Sequence, residues 1–458
     1  MRRFAIIGSG IAGLVAAHAL RRAGQHVTLY SDRTAEQWLR ESRPTGTAAR
    51  FEMAQSYERE LGLAHWDDVA PRGEGVFLTF CPTLHNALIR LYGRLEKPFR
   101  AVDLRLQCHR WMNDFDGELR IEPVSPERLD EIAAAHDLTI VAAGRADLCR
   151  LFGRDAQRSV YDAPQRQLTM IITRGGAMSV DGLSYLPVKF ELLGTDGEVF
   201  FVPYLHKDHG PTWNIVIEAR PGSRIDRFRD VRSGEEAVLR FQEMIHEIFP
   251  WNDGWVRDME LADPNGWLTG SFAPTVRHPF AQLPSGRAVM PLGDTAISFD
   301  PIAAQGANTA IKHVRHVVQR IAARGSAPFD SEWMTGVFDA FWHKHGRDAC
   351  AFSNLFLEPL TAPAKELLIA QYGSDGREGN QSGQQKIANA FMENFNDPRT
   401  LTPAFADERR ARDFITATTG RSWIWSGLRG RAAVARDQIR QRVRAGGSHR
   451  LQAPALSS

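Results

Sequence analysis

Apolar and polar positions along this chain fall into blocks of different period. Phe4-Ala5-Ile6-Ile7, after Arg3, is a short apolar run that predicts a buried strand over residues 3–7. Gly8-Ser9-Gly10-Ile11-Ala12-Gly13 follows. A helical pattern then runs from about Ala12 to Ala23 and ends at Gly24, a residue that tolerates positive φ. His26-Val27-Thr28-Leu29-Tyr30 predicts the next strand. Strand, turn, helix and strand make a βαβ unit, which implies a buried parallel sheet. Two later apolar runs, Leu138 to Gly144 and Ala288 to Asp294, each reach a glycine and fit further strands of that sheet. One sheet is therefore assembled from distant parts of the chain.

The middle of the chain has a different pattern. Leu168 to Thr173, Gly197 to Val202 and Thr212 to Glu218 predict strands of a mostly antiparallel sheet, with a hairpin turn at Asp196-Gly197. From Ile302 to about residue 417 the pattern is helical, interrupted by the Gly, Ser and Gln-rich stretch Gly373 to Gln384, which reads as a mobile loop. From Arg421 onward there are eight arginines and one aspartate; residues 431–444 could form a basic helix, and a solvated or disordered extension is the expected state. The fold class is thus α/β. A Rossmann-like dinucleotide-binding domain is split between residues 1–160 and 279–325. A mixed or antiparallel substrate domain is inserted at 161–278, a helical region covers 326–420, and a basic tail covers 421–458.

Composition narrows the function classes. With 43% hydrophobic and 24% charged residues, the chain is an ordinary globular enzyme in make-up, and its net charge of +2 argues against nucleic acid as a partner. The four cysteines are too scattered for a disulfide framework or a zinc site, so a reducing cytoplasm is expected. Arg2-Arg3 before an apolar stretch imitates a secretory signal, but the glycine spacing explains the stretch better. No run has the length of a membrane span. His313 and His316, and more loosely His343 and His345, are at helical spacing without a carboxylate set, so no metal site is assigned.

Candidate chemistry lies in two motifs. In the first, Gly8 permits the tight turn, Gly10 lets backbone approach a phosphate, and Gly13 lets helix and strand pack closely; Ser9 and Ala12 complete the turn. Free amides and the helix dipole then attract a pyrophosphate. The second strand ends at Ser31, followed by Asp32 and Arg33, and either Ser31 or Asp32 could reach an adenosine ribose. The second motif is Gly293-Asp294 followed by Asp300-Pro301-Ile302-Ala303-Ala304-Gln305-Gly306-Ala307-Asn308. Asp294 can accept hydrogen bonds from ribityl hydroxyls, Pro301 stiffens the approach, and the amides of Gly306, Ala307 and Asn308 would open a helix beneath a flavin ring. Gly144, closing the strand at 138–144, joins them. The pair of motifs points to FAD rather than NAD as the cofactor.

These residues resemble the FAD-binding group that includes the aromatic hydroxylases. Together with Arg100-Ala101-Val102-Asp103-Leu104-Arg105-Leu106 and Asn394-Phe395-Asn396-Asp397-Pro398, they resemble the oxygenase component of styrene and indole monooxygenases, over roughly residues 2–410. The resemblance implies a two-component system. A separate NADH-dependent flavin reductase supplies reduced FAD, and a flavin C4a-hydroperoxide delivers one oxygen atom from O₂ to an apolar aromatic, alkene or sulfide substrate. It also implies that Arg43 and Arg105 join the FAD contacts. The chain departs from the family near the substrate. Arg43-Pro44-Thr45-Gly46-Thr47 has Gly46 where styrene monooxygenases have asparagine, and Val76-Phe77-Leu78-Thr79-Phe80 replaces a tyrosine-rich strand. Pocket candidates are Thr45, Gly46, Thr47, Phe77, Phe80, Phe201, Pro203 and Phe299. No catalytic acid or base is assigned, because the protein's work is binding, orientation and exclusion of water.

A single-component NAD(P)H-dependent hydroxylase is the first alternative. The absence of an Asp-Gly pair in Ala142-Ala143-Gly144-Arg145-Ala146 weighs against it, since Asp181-Gly182 lies in the inserted domain. A flavin-dependent halogenase is a second. Trp423-Ile424-Trp425 is followed by Ser426-Gly427, and Cys81-Pro82 stand where the halogenase lysine would be. A non-catalytic flavoprotein with a partner-binding tail is a third. A homodimer is one option for the assembly, and nothing in the pattern selects it.

Overall fold

The computed structural model describes residues 1–81, 89–144, 146–180 and 182–450, of 146 and 440–450 the backbone alone. Residues 82–88, with Pro82 among them, Arg145, Asp181 and residues 451–458 lie outside the described residues.

The elements that position the site begin with β1 (Arg3–Ile7), α1 (Ile11–Arg22), β2 (His26–Ser31), α2 (Glu52–Leu61), β3 (Gly73–Cys81), β4 (Ile89–Phe99), α3 (Leu104–Asn113), β5 (Glu118–Ile121) and β6 (Leu138–Val141). The middle of the chain supplies β7 (Gln167–Arg174), β8 (Pro187–Leu193), β9 (Gly197–His206), β10 (Gly210–Ala219), α4 (Gly234–Ile248), β11 (Glu260–Leu261) and β12 (Trp267–Gly270). Then come β13 (Ala281–Gln282), β14 (Ala288–Pro291), α5 (Gln305–Arg324), α6 (Ala362–Ala370), α7 (Gly383–Asn396) and α8 (Trp423–Arg450).

The first sheet has the order β13-β14-β6-β1-β2-β5 and is parallel except at the β13–β14 edge. Apart from the exposed Arg3 that opens β1, its central strands β1 and β6 are apolar or small, as burial on both faces demands. Phe4, Ile6, Leu138 and Ile140 pack on α1 and α5 on one side, while Ala5, Ile7 and Val141 pack on Leu129 and Ile132 on the other.

The second sheet has the order β11-β7-β10-β9-β8-β3-β4, with β12 also on β7. It is antiparallel apart from β3 against β8. It is therefore not confined to residues 161–278, because β3 and β4 come from the first 100 residues. The physical reason is edge protection. The β8–β9 hairpin would expose β8, and β3 covers it along seven paired residues, Gly75 to Cys81.

This sheet has two distinct faces. Val76, Leu78, Phe190, Phe200, Val202 and Tyr204 point inward, to a core that contains Phe51, Ile302, Ala303, Phe352 and Phe395. Phe201, Trp213, Ile215 and Ile217 point outward, onto Phe241, Met244 and Ile245 of α4.

Two C-terminal expectations are corrected. The stretch 373–384 is pinned rather than loose. Gln385 Oε1 accepts from the amides of Asp375 and Gly376, Ser374 Oγ accepts from Tyr92 N at 3.1 Å, and Gly376 lies against the Tyr185 ring. The basic tail forms helix α8, whose first half is docked. Gly430 approaches so closely that a Cβ would meet Ile369 O at 2.2 Å, and Tyr372 donates its hydroxyl to Asp437 at 2.6 Å. Arginine content hid the small and apolar positions, Trp423, Gly430, Ala433 and Val434, that make this contact. Among the described residues, no helix is long and apolar enough to cross a membrane.

Candidate cofactor and active site

The carboxyl ends of β1, β6 and β14 lie side by side. Ala142 N donates to Ile7 O at 2.8 Å, and Leu292 N donates to Val141 O at 2.8 Å. The chain therefore leaves all three strands at one sheet edge, as Gly8, Ala142–Gly144 and Gly293–Asp294. Thr295 Oγ1 bonds Ala143 O at 2.9 Å and ties two of these exits together. A Cβ on Gly293 would lie 2.6 Å from Ala12 Cβ and 3.5 Å from Ala310 Cβ, so the second motif touches both α1 and α5. Gly306 faces the Asp294 carboxylate, with its Cβ direction 3.8 Å from Oδ1. Residues far apart in sequence thus converge on one crevice at the strand ends, where ligands of open α/β sheets bind.

The glycines of the first motif differ in their reasons. Gly8 has φ +113° and sits against Ala142 O; Gly13 sits against Gly8 O, where a Cβ would come within 1.9 Å. Both are needed for packing. A Cβ at Gly10 would meet nothing within 4 Å, so its bareness keeps space open in front of the helix. Helices α3, α4, α6 and α7 are each capped by a side chain, from Asp103, Ser233, Thr361 and Ser382. Helices α1 and α5 begin at Gly10 and Ala304 with no side-chain cap and no acid in the first turn. Their leading amides are left for something else to satisfy. A long anion with a second polar end fits this pair of uncapped openings.

Asp294 is solvent-accessible, yet enough protein surrounds it for desolvation to raise its carboxyl above the usual range, with Arg277 opposing. Among the described residues no donor bonds its carboxylate. Accessibility and desolvation disagree only superficially, since a side chain at the floor of a channel shows both. Pro301 is exposed and opens a single turn, Pro301–Ala303, that leads into α5. Ala48 and Ala304, at φ +50° and +51°, are the non-glycine residues with positive φ among the described residues. The Asn308 carboxamide holds both neighbourhoods, donating to Ala304 O at 2.7 Å and Ala49 O at 2.8 Å and accepting from Phe51 N at 2.9 Å. The Asn308 side chain is therefore a bracket between loop and helix, and only its backbone belongs to the helix opening. Gly306, Ala307 and Gly144 remain partly or fully exposed at this edge.

Several predicted residues lie elsewhere. Ser31 is turned inward, its hydroxyl paired with Ser9 Oγ at 2.6 Å and with Arg33 O at 2.5 Å, while Trp38 donates to Ser9. Asp32 is exposed and bonded to Arg33, which lies over Trp38 and also donates to Ser42. Arg43 is exposed over the Trp267 indole at 4.7 Å. Arg105 is a correction. It is 1% exposed, and four of its five N–H donors are spent on Asp103 and Asp263 at 2.8–2.9 Å, beside His206. Burial alone would ease its proton off, but the hydrogen bonds it donates to the two carboxylates outweigh burial and raise its affinity. Arg105 joins α3 to the β11–β12 connection that carries Asp263, and four of its five donors are committed there and to Asp103.

The pocket candidates also divide. Thr47 Oγ1 reaches Asn214 Oδ1 at 3.3 Å, so the loop carrying Thr45, Gly46 and Thr47 lies over the inner face of the second sheet. Phe80 shares that face with Val76 and Leu78. Phe77, Phe201 and Pro203 are corrected to the outer face by strand periodicity. Phe77 and Phe201 both pair with Lys189, and Pro203 pairs with Trp213, on the face that meets α4. Phe299 packs behind the loop with Phe338, Phe341 and Trp342.

Polar residues not foreseen from the sequence stand on the inner face. Asn214 is fully buried and its Nδ2 has no partner. Two residues on, Val216 continues the apolar floor, and Glu218 meets Asp300 of the Asp-Pro motif. Burial, then the Asp300 charge and hydrogen bond, push the Glu218 carboxyl well above its ordinary range. A proton on Glu218 makes it the donor to Asp300, whose carboxylate also accepts from Ile302 N at 3.2 Å. Arg166 neutralises the neighbouring Glu198 at 2.8 Å. The signal was present as Thr212, Asn214 and Glu218, polar residues at even spacing on one strand face.

Comparison with known proteins adds a likeness. The model of the styrene monooxygenase A substrate-binding domain matches residues 144–254. Styrene monooxygenase StyA of Pseudomonas fluorescens is 26% identical over 428 residues, covering 89% of this chain and 96% of the relative; StyA of a second Pseudomonas matches to the same extent. The chain is a flavin monooxygenase that resembles styrene monooxygenase. This oxygenase also matches the NAD(P)-binding Rossmann-like domain over residues 6–35. Its fold is shared with the flavin-dependent brominase Bmp2, at TM-score 0.59, 14% identity and coverage of 89% and 99%. The tetrameric 2-methyl-3-hydroxypyridine-5-carboxylic acid oxygenase shares it at TM-score 0.53, 16% identity and coverage of 85% and 96%. Its enzyme class, flavin monooxygenase, and its cofactor, FAD, follow from these matches and from the glycine geometry.

Proposed function

We propose that this oxygenase transfers one oxygen atom from O₂ to a small or medium apolar substrate, an aromatic alkene, indole-type ring or sulfide, using reduced FAD delivered by a separate NADH-dependent flavin reductase. The observation that carries the reading is the convergence of two uncapped helix openings, at Gly10 and Ala304, on one strand edge roofed by a largely apolar sheet face. Bound FAD, once reduced and exposed to O₂, supplies the electrophilic oxygen, and the chain's residues do the rest. The amides of Ser9, Gly10, Ala12 and Gly13 would hold the pyrophosphate, the Gly8 amide being spent on Tyr30 O at 2.9 Å, and Asp294 would hold the ribityl hydroxyls. The Gly306–Ala307 helix opening would stabilise negative charge on the ring. Asp32, rather than the inward-turned Ser31, is the candidate for the adenosine ribose. Thr45, Gly46, Thr47, Phe80, Asn214 and Val216 would bound the substrate, with Asn214 Nδ2 the orphaned donor available to orient it.

The test supplies reduced FAD from any flavin reductase, in isotopically labelled O₂, with styrene, indole and thioanisole as substrates. One labelled oxygen in a product is expected, together with no rapid reduction of bound FAD by NADH or NADPH alone. Rapid reduction by a nicotinamide would overturn the two-component reading, and unlabelled or absent product from all three would overturn the substrate class.

A further inference from the structure

Helix α5 leaves the cofactor edge and, two turns after its start, lines a second cleft roughly 10 Å further along its axis. This cleft has a volume of about 220 Å³ and lies on the α2 side of the helix. Lys312, Arg315 and His316 come from α5, Lys344 and His345 from residues 342–346, and Arg399 from the turn after α7.

Three observations point to a ligand. First, Lys312 is 7% exposed and has no carboxylate within ion-pair distance among the described residues; its ammonium donates to Asn396 O at 2.6 Å, with two N–H bonds to spare. A buried ammonium without a counter-charge is costly unless something pairs it. Second, Trp342–Gly346 is a π-helical turn between two α-helices, a wider winding frequent at functional sites. It presents Lys344 and His345 to the cleft. Third, the nearby acids are already committed. Asp397 holds Arg399 at 2.6 and 2.7 Å, and Glu60 holds Arg315 at 3.0 Å. Among the described residues, Lys312 and Lys344 have no acid partner in a space lined by four cations. The field of the cleft is visible in His345. Desolvation, then Arg399, Lys312 and Lys344, push it down to about 3, so it is neutral at ordinary pH.

We propose that this cleft binds a compact dianion, a phosphate- or dicarboxylate-bearing small molecule, at a site separate from the FAD crevice. Lys312 and Lys344 supply the two charges, and the neutral His316 and His345 supply further hydrogen-bonding edges. Binding is proton-linked. Burial pushes Lys312 down to about 8, so the empty cleft loses this lysine's charge above that pH and the anion restores it. The other titratable or charged groups facing this lysine are Tyr57 on α2, Arg315 and His316 on α5, Lys344 and His345, and the Asp397–Arg399 pair.

Calorimetric titration of the FAD-saturated protein with inorganic phosphate, succinate and chloride tests the site, because FAD fills its own pyrophosphate cradle. Phosphate or succinate is expected to bind and chloride not, and which of the two binds more tightly assigns the source. Affinity should weaken by about tenfold or more in Lys344→Gln and in Lys312→Gln. Proton uptake above about pH 8, read from the buffer dependence of the heat, should vanish in Lys312→Gln while FAD affinity is unchanged. Lys344 is exposed, so its variant remains informative if Lys312→Gln fails to fold. Failure of both dianions to bind, or binding undiminished in Lys344→Gln, overturns the proposal.

Discussion

A side chain at position 13 would meet Gly8 O at 1.9 Å, whereas one at position 10 would meet nothing within 4 Å. The same residue type therefore serves structure at one position and ligand space at the other. Gly13→Val is expected to prevent folding, read as loss of a cooperative thermal transition. Gly10→Val should keep the melting temperature within about 2 °C of the parent, as surface changes do, and weaken FAD by about tenfold or more, measured by flavin fluorescence titration. Arg105 supplies a second contrast. Asp263 would be raised by burial, but bonds from His206 and Arg105 outweigh this and hold it well below the usual carboxylate range. Removing the guanidinium leaves the buried Asp103 without its cation and Asp263 with His206 alone. Arg105→Leu should cost about 3–5 kcal/mol in urea denaturation, with FAD affinity of the folded fraction unchanged. A selective loss of FAD affinity would return Arg105 to the cofactor.

At the level of elements, strand β10 couples the two halves of the molecule. Its inward positions carry Asn214 and Glu218, and Glu218 buttresses the Asp300–Pro301 turn from which α5 begins. Glu218→Gln retains an N–H donor toward Asp300 and should fold with near-parent stability at neutral pH. Glu218→Ala leaves a buried acceptor unserved and should cost about 1–3 kcal/mol. The pH dependence separates these. Because the folded carboxyl is raised above its ordinary 4.5, its stabilising effect is complete below that pH and declines as the pH climbs toward the raised value. Urea midpoints should therefore show the Gln variant gaining on the parent from about pH 5 upward. A constant gap would mean that Glu218 is ionised in the native state.

For the molecule as a whole, acid is the expected weakness. His313 is buried against Phe341, at 4.3 Å between ring centroids, and desolvation pushes it down to about 3. Between 6.5 and 3 the unfolded chain binds a proton that the native state refuses, so stability falls as the pH falls through that window, by up to about 1.4 kcal/mol per pH unit for one such group. His313→Phe should flatten this slope in denaturation series at pH 7, 6 and 5; an unchanged slope would place the proton elsewhere.

Much of this was legible in the residues themselves. The βαβ opening, the glycine spacing and the runs ending at Gly144 and Asp294 are local signals, because period and turn chemistry depend only on neighbours in sequence. They determined the first sheet, the glycine turn and the second motif. The tertiary structure alone decided which sheet received β3, which face received Phe77 and Phe201, and whether Arg105 kept a free donor. These depend on pairing partners more than a hundred residues away, Lys189 for Phe77 and Asp263 for Arg105. A strand's alternation says that its faces differ, but only packing says which face meets the crevice, and a charge in a sequence carries no mark of the carboxylate that will neutralise it.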